Sequence, residues 1–168
     1  MAQTTFAGPV RSLAGFINAG STGVVSLTAD TTLTVASHAG RLLLTNDADG
    51  KFTLPSIVVT TPGDPTDPGQ LNNLGATFTF LVITAATDMD ILTDGTDKFV
   101  GGLYLGKSDA AGKTFMSGAA NDVFTLNGAT TGGIVGTVVT GYAAASAKYV
   151  VSGSALASGT VATPFADA

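Results

Sequence analysis

The 168-residue sequence contains no cysteine, no tryptophan and no glutamate, and only 11% of its residues are charged. Without cysteine, neither disulfides nor thiolate metal sites can hold the fold together, so its stability has to come from packing or oligomerisation. All 12 acidic residues are aspartates, whereas glutamate is one of the residues that favour helices. These absences exclude a disulfide scaffold and argue against long helices.

Basic residues are also scarce. Lysine and arginine together number 7, the net charge is −5 and the pI is near 4.4. Nucleic-acid binding needs a basic patch or stripe, so we expect no nucleic-acid partner. No run of about 18 apolar residues occurs, and the N-terminus lacks a basic region followed by an apolar stretch. We therefore expect neither a membrane partner nor a secretion signal.

The residues that are abundant favour strands. The chain has 22 glycines and 26 threonines, which respectively disfavour helices and suit pleated sheets. We predict an all-β fold, a β-sandwich or barrel-like domain at residues 23–152, with extended arms at both ends. Residues 1–22 hold isolated phenylalanines without a sustained period and are predicted to be an extended N-terminal arm. Residues 153–168 are predicted to be an extended, weakly packed C-terminal tail.

Alternating apolar residues locate the strands. Val25 and Leu27, then Leu33 and Val35, alternate with polar residues and predict a pair of half-buried strands. Turn-forming residues 46–50 between two further apolar segments predict a hairpin. Residues 76–83 predict a core strand whose apolar end is covered on both faces. Six later segments predict further short strands: DMDIL, KFVGGLYL, KTFM, DVFTL, GIVGTVVTG and KYVVSG. The proline-rich residues 60–73 predict a long surface loop.

One segment matches the nucleotide-binding pattern G-x-x-x-x-G-K-[ST]. It runs from Gly101 to Ser108. A P-loop needs a flexible turn followed by a helix at the lysine, but this segment has the strand formers Leu-Tyr-Leu between its glycines. Gly112 follows shortly after Lys107. We interpret the segment as a strand flanked by turn residues. The NTPase alternative predicts stabilisation by nucleotide that is lost in Lys107→Ala.

The remaining candidates for chemistry are one histidine and clustered aspartates. His38 lies in a polar turn between predicted strands and is interpreted as a loop residue. Asp88, Asp90, Asp94 and Asp97 cluster, and calcium prefers several such oxygens, so a structural calcium ion is conceivable there. Residues 45–56 lack the ligands that begin and end an EF-hand loop. We predict no catalytic residues, no cofactor-binding residues and no cofactor, and assign no metal ligands.

Four segments resemble small virion proteins of tailed bacteriophages. They are TTFAGPVRSLAGF, TLTVASHAGRLLLTNDADGKFTLP, GATFTFLVIT and KYVVSGSALASGTVATPFADA. The pattern is similar to that of head decoration (cement) proteins. This resemblance implies a non-enzymatic, commonly trimeric β protein on the outer surface of the capsid, whose partners are the major capsid protein and further copies of itself. It would stabilise the expanded head against the pressure of packaged DNA by bridging capsomers.

On this interpretation the N-terminal arm is the expected capsid contact. Phe6 and Phe16 would be apolar anchors, Pro9 would stiffen the backbone and Arg11 could pair with acidic capsid surface. The alternative is that both phenylalanines close the core of their own domain. A second functional hypothesis is a phage fibre or knob module that binds the host, which requires exposed aromatic side chains. The chain offers only three tyrosines for that purpose, Tyr104, Tyr142 and Tyr149.

Overall fold

The computed structural model describes residues 23–59, 72–108 and 110–168. Twelve strands and one four-residue helix make up the regular structure of these residues. The strands form two mixed sheets that face each other as in a β-sandwich. The prediction of an all-β fold is therefore confirmed. The N-terminal arm and most of the proline-rich loop lie outside the described residues.

The seven-stranded sheet has the order β1-β3-β5-β10-β11-β7-β8. Its strands are β1 (Val24–Leu27), β3 (Leu42–Thr45), β5 (Thr77–Val82), β7 (Lys98–Lys107), β8 (Ala110–Met116), β10 (Val138–Ala145) and β11 (Lys148–Leu156). The five-stranded sheet has the order β12-β9-β6-β4-β2. Its strands are β2 (Thr31–Thr32), β4 (Lys51–Thr53), β6 (Met89–Leu92), β9 (Val123–Leu126) and β12 (Phe165–Ala166).

The first six strands alternate between the two sheets. The chain passes from β1 to β2, from β3 to β4 and from β5 to β6, and each passage crosses from the larger sheet to the smaller one. As a result β1, β3 and β5 are parallel neighbours in one sheet, and β2, β4 and β6 are parallel neighbours in the other. In this half of the domain, each of the three passages therefore adds one strand to each sheet.

The crossings correct the hairpin prediction. β1 and β2 lie in different sheets, and the turn at residues 46–50 also links strands of different sheets instead of closing a hairpin. Local turn chemistry suits either connection, and the burial of Leu43 and Phe52 on opposite sides of one core decides between them. Val35 is exposed in the helix α1 (Val35–His38) instead of lying in a strand. The side chain of Thr34 caps that helix by accepting the Ser37 N–H.

Aromatic side chains fill the space between the sheets. Phe52 of β4 stacks on Phe80 of β5 with ring centroids 6.4 Å apart, and Phe99 of β7 meets Phe124 of β9 at 5.3 Å. Both contacts join one sheet to the other. The Tyr149 hydroxyl donates to the Pro55 carbonyl at 2.6 Å, and burial raises the pKa of this phenol. This hydrogen bond ties β11 to the segment that follows β4.

The second half of the domain is mainly antiparallel. β5 lies inside the larger sheet, between β3 and β10, as predicted for a core strand. Phe78, Phe80 and Val82 are buried, but Leu81 is only partly buried and Ile83 is exposed. The apolar end of β5 is thus not covered on both faces, and that expectation was wrong. The six later strand predictions are confirmed by β6 to β11.

The C-terminal stretch is better packed than expected. The boundary drawn at residue 152 falls inside β11, which continues to Leu156. β12 pairs with β9, and Phe165 is only 7% exposed. Its ring lies 6.1 Å from that of Phe124 in an edge-to-face arrangement. The expectation of weak packing is therefore wrong for Phe165, because this residue extends the aromatic core.

We predict that Phe165→Ala destabilises the domain by about 3 kcal/mol, since it removes a buried ring and leaves a cavity beside Phe124. Urea unfolding followed by circular dichroism measures this change, with Ala166→Ser as a control on the exposed side of the same strand. A loss below about 0.5 kcal/mol, the range of ordinary surface substitutions, would show that β12 does not contribute to the core.

Candidate functional site

The residues predicted to contact a capsid are not among those described. Phe6, Pro9, Arg11 and Phe16 all belong to the arm at residues 1–22, which lies outside the described residues. The chain enters the described part at Gly23 and begins β1 at Val24. β1 is an edge strand of the seven-stranded sheet. The arm is therefore joined to the domain at one edge of that sheet.

The segment Gly101–Ser108 is not built as a phosphate-binding loop. It lies almost entirely within β7, and β8 follows it where a P-loop needs a helix. Leu103 and Leu105 point into the core and are fully buried. Gly101 has φ +108, and a Cβ there would lie 2.5 Å from the Val151 carbonyl oxygen. This glycine is thus required by the close approach of β7 to β11.

Two of the clustered aspartates, Asp94 and Asp97, bond to the backbone of turns and loops. Asp94 accepts the N–H groups of Thr96 and Asp97, each at 2.9 Å. Asp97 in turn accepts the Ile57 N–H at 2.7 Å. Within residues 23–59, 72–108 and 110–168, no group of three or more His, Cys, Asp or Glu side chains could hold a metal ion.

His38 also has a local role. Its Nδ1 accepts the Thr34 N–H at 2.9 Å, one helical turn away. The residue lies at the end of α1, between β2 and β3, as the predicted turn position requires. It thus helps to close the N-terminal end of α1.

One partly buried ion pair holds the C-terminal stretch. Lys98 Nζ lies 2.6 Å from Asp122 Oδ2, and Asp122 Oδ1 accepts the Ala168 N–H at 2.8 Å. Burial alone raises the pKa of Asp122, but the lysine and the backbone N–H outweigh it and hold that pKa below its usual value. The hydrogen bond to Asp122 raises the pKa of Lys98. Both groups are therefore charged at neutral pH.

Charge is distributed unevenly between the two sheets. All nine described aspartates lie in the five-stranded sheet or in loops, and none lies on a strand of the seven-stranded sheet. They are Asp30, Asp47, Asp49, Asp88, Asp90, Asp94, Asp97, Asp122 and Asp167. The described carboxylates are thus concentrated away from the strands of the larger sheet.

Among the described residues, the outer face of the seven-stranded sheet carries no charged side chain in its interior. Alternate residues of these strands are buried, so the residues between them point outward. We call this surface the uncharged face, and its described members are Val24, Ser26, Leu42, Leu44, Thr77, Thr79, Leu81, Val100, Tyr104, Thr114, Met116, Val138, Thr140, Tyr142, Val150, Ser152 and Ser154. Lys98 and Lys148 lie paired at one end of it.

Large apolar side chains concentrate on this face. The ten exposed large apolar side chains in the described part of the chain include five that belong to it: Val24, Tyr104, Met116, Val138 and Tyr142. Met116 is the most exposed of them, at 69%. Its sulfur lies above Gly102, since a Cβ on that glycine would come within 3.0 Å of it. Larger exposed apolar patches commonly mark sites of interaction, so the uncharged face is the candidate functional surface.

Sequence reasoning missed this surface although a signal for it existed. Leu42 and Leu44 flank the buried Leu43, and such an apolar run is expected when both faces of a strand are covered. Here one side of the run faces the core and the other faces outward. An apolar residue on the outward side is the feature that could have indicated an interface.

The described residues also form shallow depressions. One of about 450 Å³ is lined by the ends of β7 and β11, including Lys107 and Leu156, and by Ile134 from the segment before β10. Lys107 is the one charged side chain among these lining residues. Among the described residues, no helix is long and apolar enough to cross a membrane.

Comparison with known proteins finds no relative. No protein-family model matches the chain, and no curated protein and no solved structure matches it.

We predict that Mg²⁺-ATP leaves the Tm unchanged, because Gly101–Ser108 is a strand and not an anion-binding loop. A nucleotide at a hundred times its Kd would stabilise a true binding site by about 2.7 kcal/mol, which shifts Tm by several degrees. Differential scanning fluorimetry with and without nucleotide provides the measurement, and Lys107→Ala is the control. A rise in Tm that Lys107→Ala abolishes would contradict the strand interpretation.

We predict that acid unfolding depends on Asp122. Since its folded-state pKa is lowered, its contribution is complete above the unfolded-state pKa and is lost as the pH falls through the folded-state pKa. Asp122→Asn should lower the free energy of unfolding at pH 7 and reduce its further loss between pH 5 and pH 2, measured by urea unfolding.

Asp97 provides a control of opposite sign. Burial raises its pKa, so it binds its proton more tightly in the folded state and opposes acid unfolding. Asp97→Asn should therefore make the loss of stability in acid steeper. Equal pH profiles for both variants and the wild type would contradict these assignments.

Proposed function

We propose that this protein is a non-enzymatic structural protein of a phage virion, a decoration (cement) protein on the outer surface of the capsid. The observation that carries the proposal is the uncharged face, a broad sheet surface with exposed apolar residues in a protein of net charge −5. Such a surface suits association with protein. The resemblance of four sequence segments to phage head decoration proteins supports placing this association on a phage capsid.

The proposed mechanism is mechanical. Packaged DNA presses outward on a thin shell, and a protein that bridges neighbouring capsomers adds an interface that must break before the shell opens. An interface of standard size buries about 1,600 Å² in total, and several linked attachments hold more strongly than one. The partners in this proposal are the major capsid protein and further copies of this chain, with a trimer as the implied assembly.

The arm at residues 1–22 is the proposed capsid contact. It is covalently joined to β1, at the edge of the seven-stranded sheet. Phe6 and Phe16 supply apolar anchors, and Arg11 supplies the arm's basic group. An arm at the sheet edge can reach a neighbouring protein while the sandwich keeps its own core intact. The proposal thus separates the attachment segment from the folded domain.

A fibre or knob module that binds the host is the second candidate. Tyr104 and Tyr142 are 48% and 43% exposed on the uncharged face, and exposed aromatic rings can stack on sugars. They lie two strands apart and four residues apart along the sheet, which separates their Cα atoms by about 16 Å. One sugar ring cannot contact both. A glycan ligand would therefore have to be a chain of several sugars.

We predict that the purified protein binds expanded phage heads in a fixed ratio, and that deletion of residues 1–22 abolishes this binding without unfolding the domain. The measurement is protein retained on heads after sedimentation, with circular dichroism as the control for folding. Full-length protein that stays in the supernatant would contradict the proposal. Binding to a glycan array in its place would support the fibre candidate.

A further inference from the structure

We propose that the uncharged face is the surface through which copies of this chain associate with one another. This inference deepens the proposed function, because it assigns self-assembly to a particular surface of the domain. Only the place of that assembly in a virion rests on the proposed function. The occupant of the face is a second copy of the chain, so this contact joins two copies face to face. It accounts for a dimer and not for the trimer that the resemblance implies.

Charge is the first reason for this assignment. Each copy carries a net charge of −5, so two copies repel each other when their acidic surfaces meet. The strands of the five-stranded sheet carry Asp90, and the loops around it carry the other described aspartates. No described aspartate lies on a strand of the larger sheet. When two copies meet through the uncharged face, no described strand carboxylate of one copy therefore faces a strand carboxylate of the other.

Distance strengthens the argument. Packed sheets lie about 10 Å apart, so two domains joined through their larger sheets place their smaller sheets about 30 Å apart. Charges are largely screened beyond about 8 Å at physiological ionic strength. Repulsion between the acidic sheets is thus weak in this arrangement.

The area is sufficient for a specific contact. Seven strands spaced about 4.8 Å apart, with about six residues each, span roughly 29 by 20 Å. Two such faces bury about 1,200 Å² in total, above the minimum of about 1,000 Å² for a specific interface. The face also combines apolar side chains with the hydroxyls of Tyr104, Tyr142 and Thr140, a composition that suits the core of an interface.

Two substitutions that each replace a similarly exposed valine with aspartate provide the test. Val138 lies on the uncharged face and is 38% exposed, while Val35 belongs to α1, outside the strands of that sheet, and is 40% exposed. Multi-angle light scattering over a concentration series gives the mass of each variant. We expect the wild type and Val35→Asp to show a mass of two or more chains, and Val138→Asp to shift to one chain. Tyr142→Asp is the second variant on the face, in case Val138→Asp does not fold.

Salt distinguishes this interface from one held by ion pairs. Raising the ionic strength from 0.1 M to 1 M shortens the Debye length from about 10 Å to about 3 Å. An uncharged interface between acidic copies should persist or tighten under this change. Dissociation of the wild type at 1 M salt would overturn the assignment.

Other results would also overturn it. A wild type with the mass of one chain throughout would remove the second copy as the occupant. Association that appears only after deletion of residues 1–22 would mean that this arm covers the face. Variants at Val138 and Tyr142 that fold and assemble like the wild type would place the interface elsewhere. Assembly that depends on the face, without binding to phage heads, would keep this inference and remove the proposed function.

Discussion

The layer of aromatic and aliphatic side chains between the two sheets is the constraint on which the structure depends. Phe52 and Phe80 connect the sheets on one side of the layer, and Phe99 and Phe124 connect them on the other. A chain without disulfides must obtain its stability from such packing. Because side chains alternate along a strand, burying one face of each sheet also fixes which residues point outward.

The two outward faces have different chemistry as a consequence. The smaller sheet and the loops carry the described aspartates, of which Asp94 and Asp97 accept backbone N–H groups and Asp122 pairs with a lysine. The larger sheet presents threonine, serine, valine and tyrosine. Net charge in general favours solubility, and an uncharged surface can associate without the cost of burying charge. This division of surface suits a protein whose proposed work is to hold others together.

The sequence predicted the strands better than their partners. Alternation in residues 77–82 identified β5 and its buried phenylalanines, because that pattern depends only on the chain itself. The pairing of β3 with β5 joins residues more than 30 positions apart, and the turn at residues 46–50 is compatible with a hairpin or with a crossing between sheets. The full extent of the uncharged face could not be predicted, because it assembles residues from seven strands whose order is set by the core. The apolar Leu42 and Leu44 beside the buried Leu43 were the one local sign of it. The predicted contact residues of the arm, such as Phe6, remain a prediction.

Hydroxyl-radical footprinting tests the central claim most directly, because it reports the exposure of individual side chains in solution. Met116, Tyr104 and Tyr142 are all exposed on the uncharged face of a single chain and react readily with the radical. Labelling is compared between dilute protein and protein at the concentration where light scattering detects assembly. Our account predicts that all three lose labelling on assembly, while Val35 in α1 does not. Equal labelling of the three residues in both samples would contradict it.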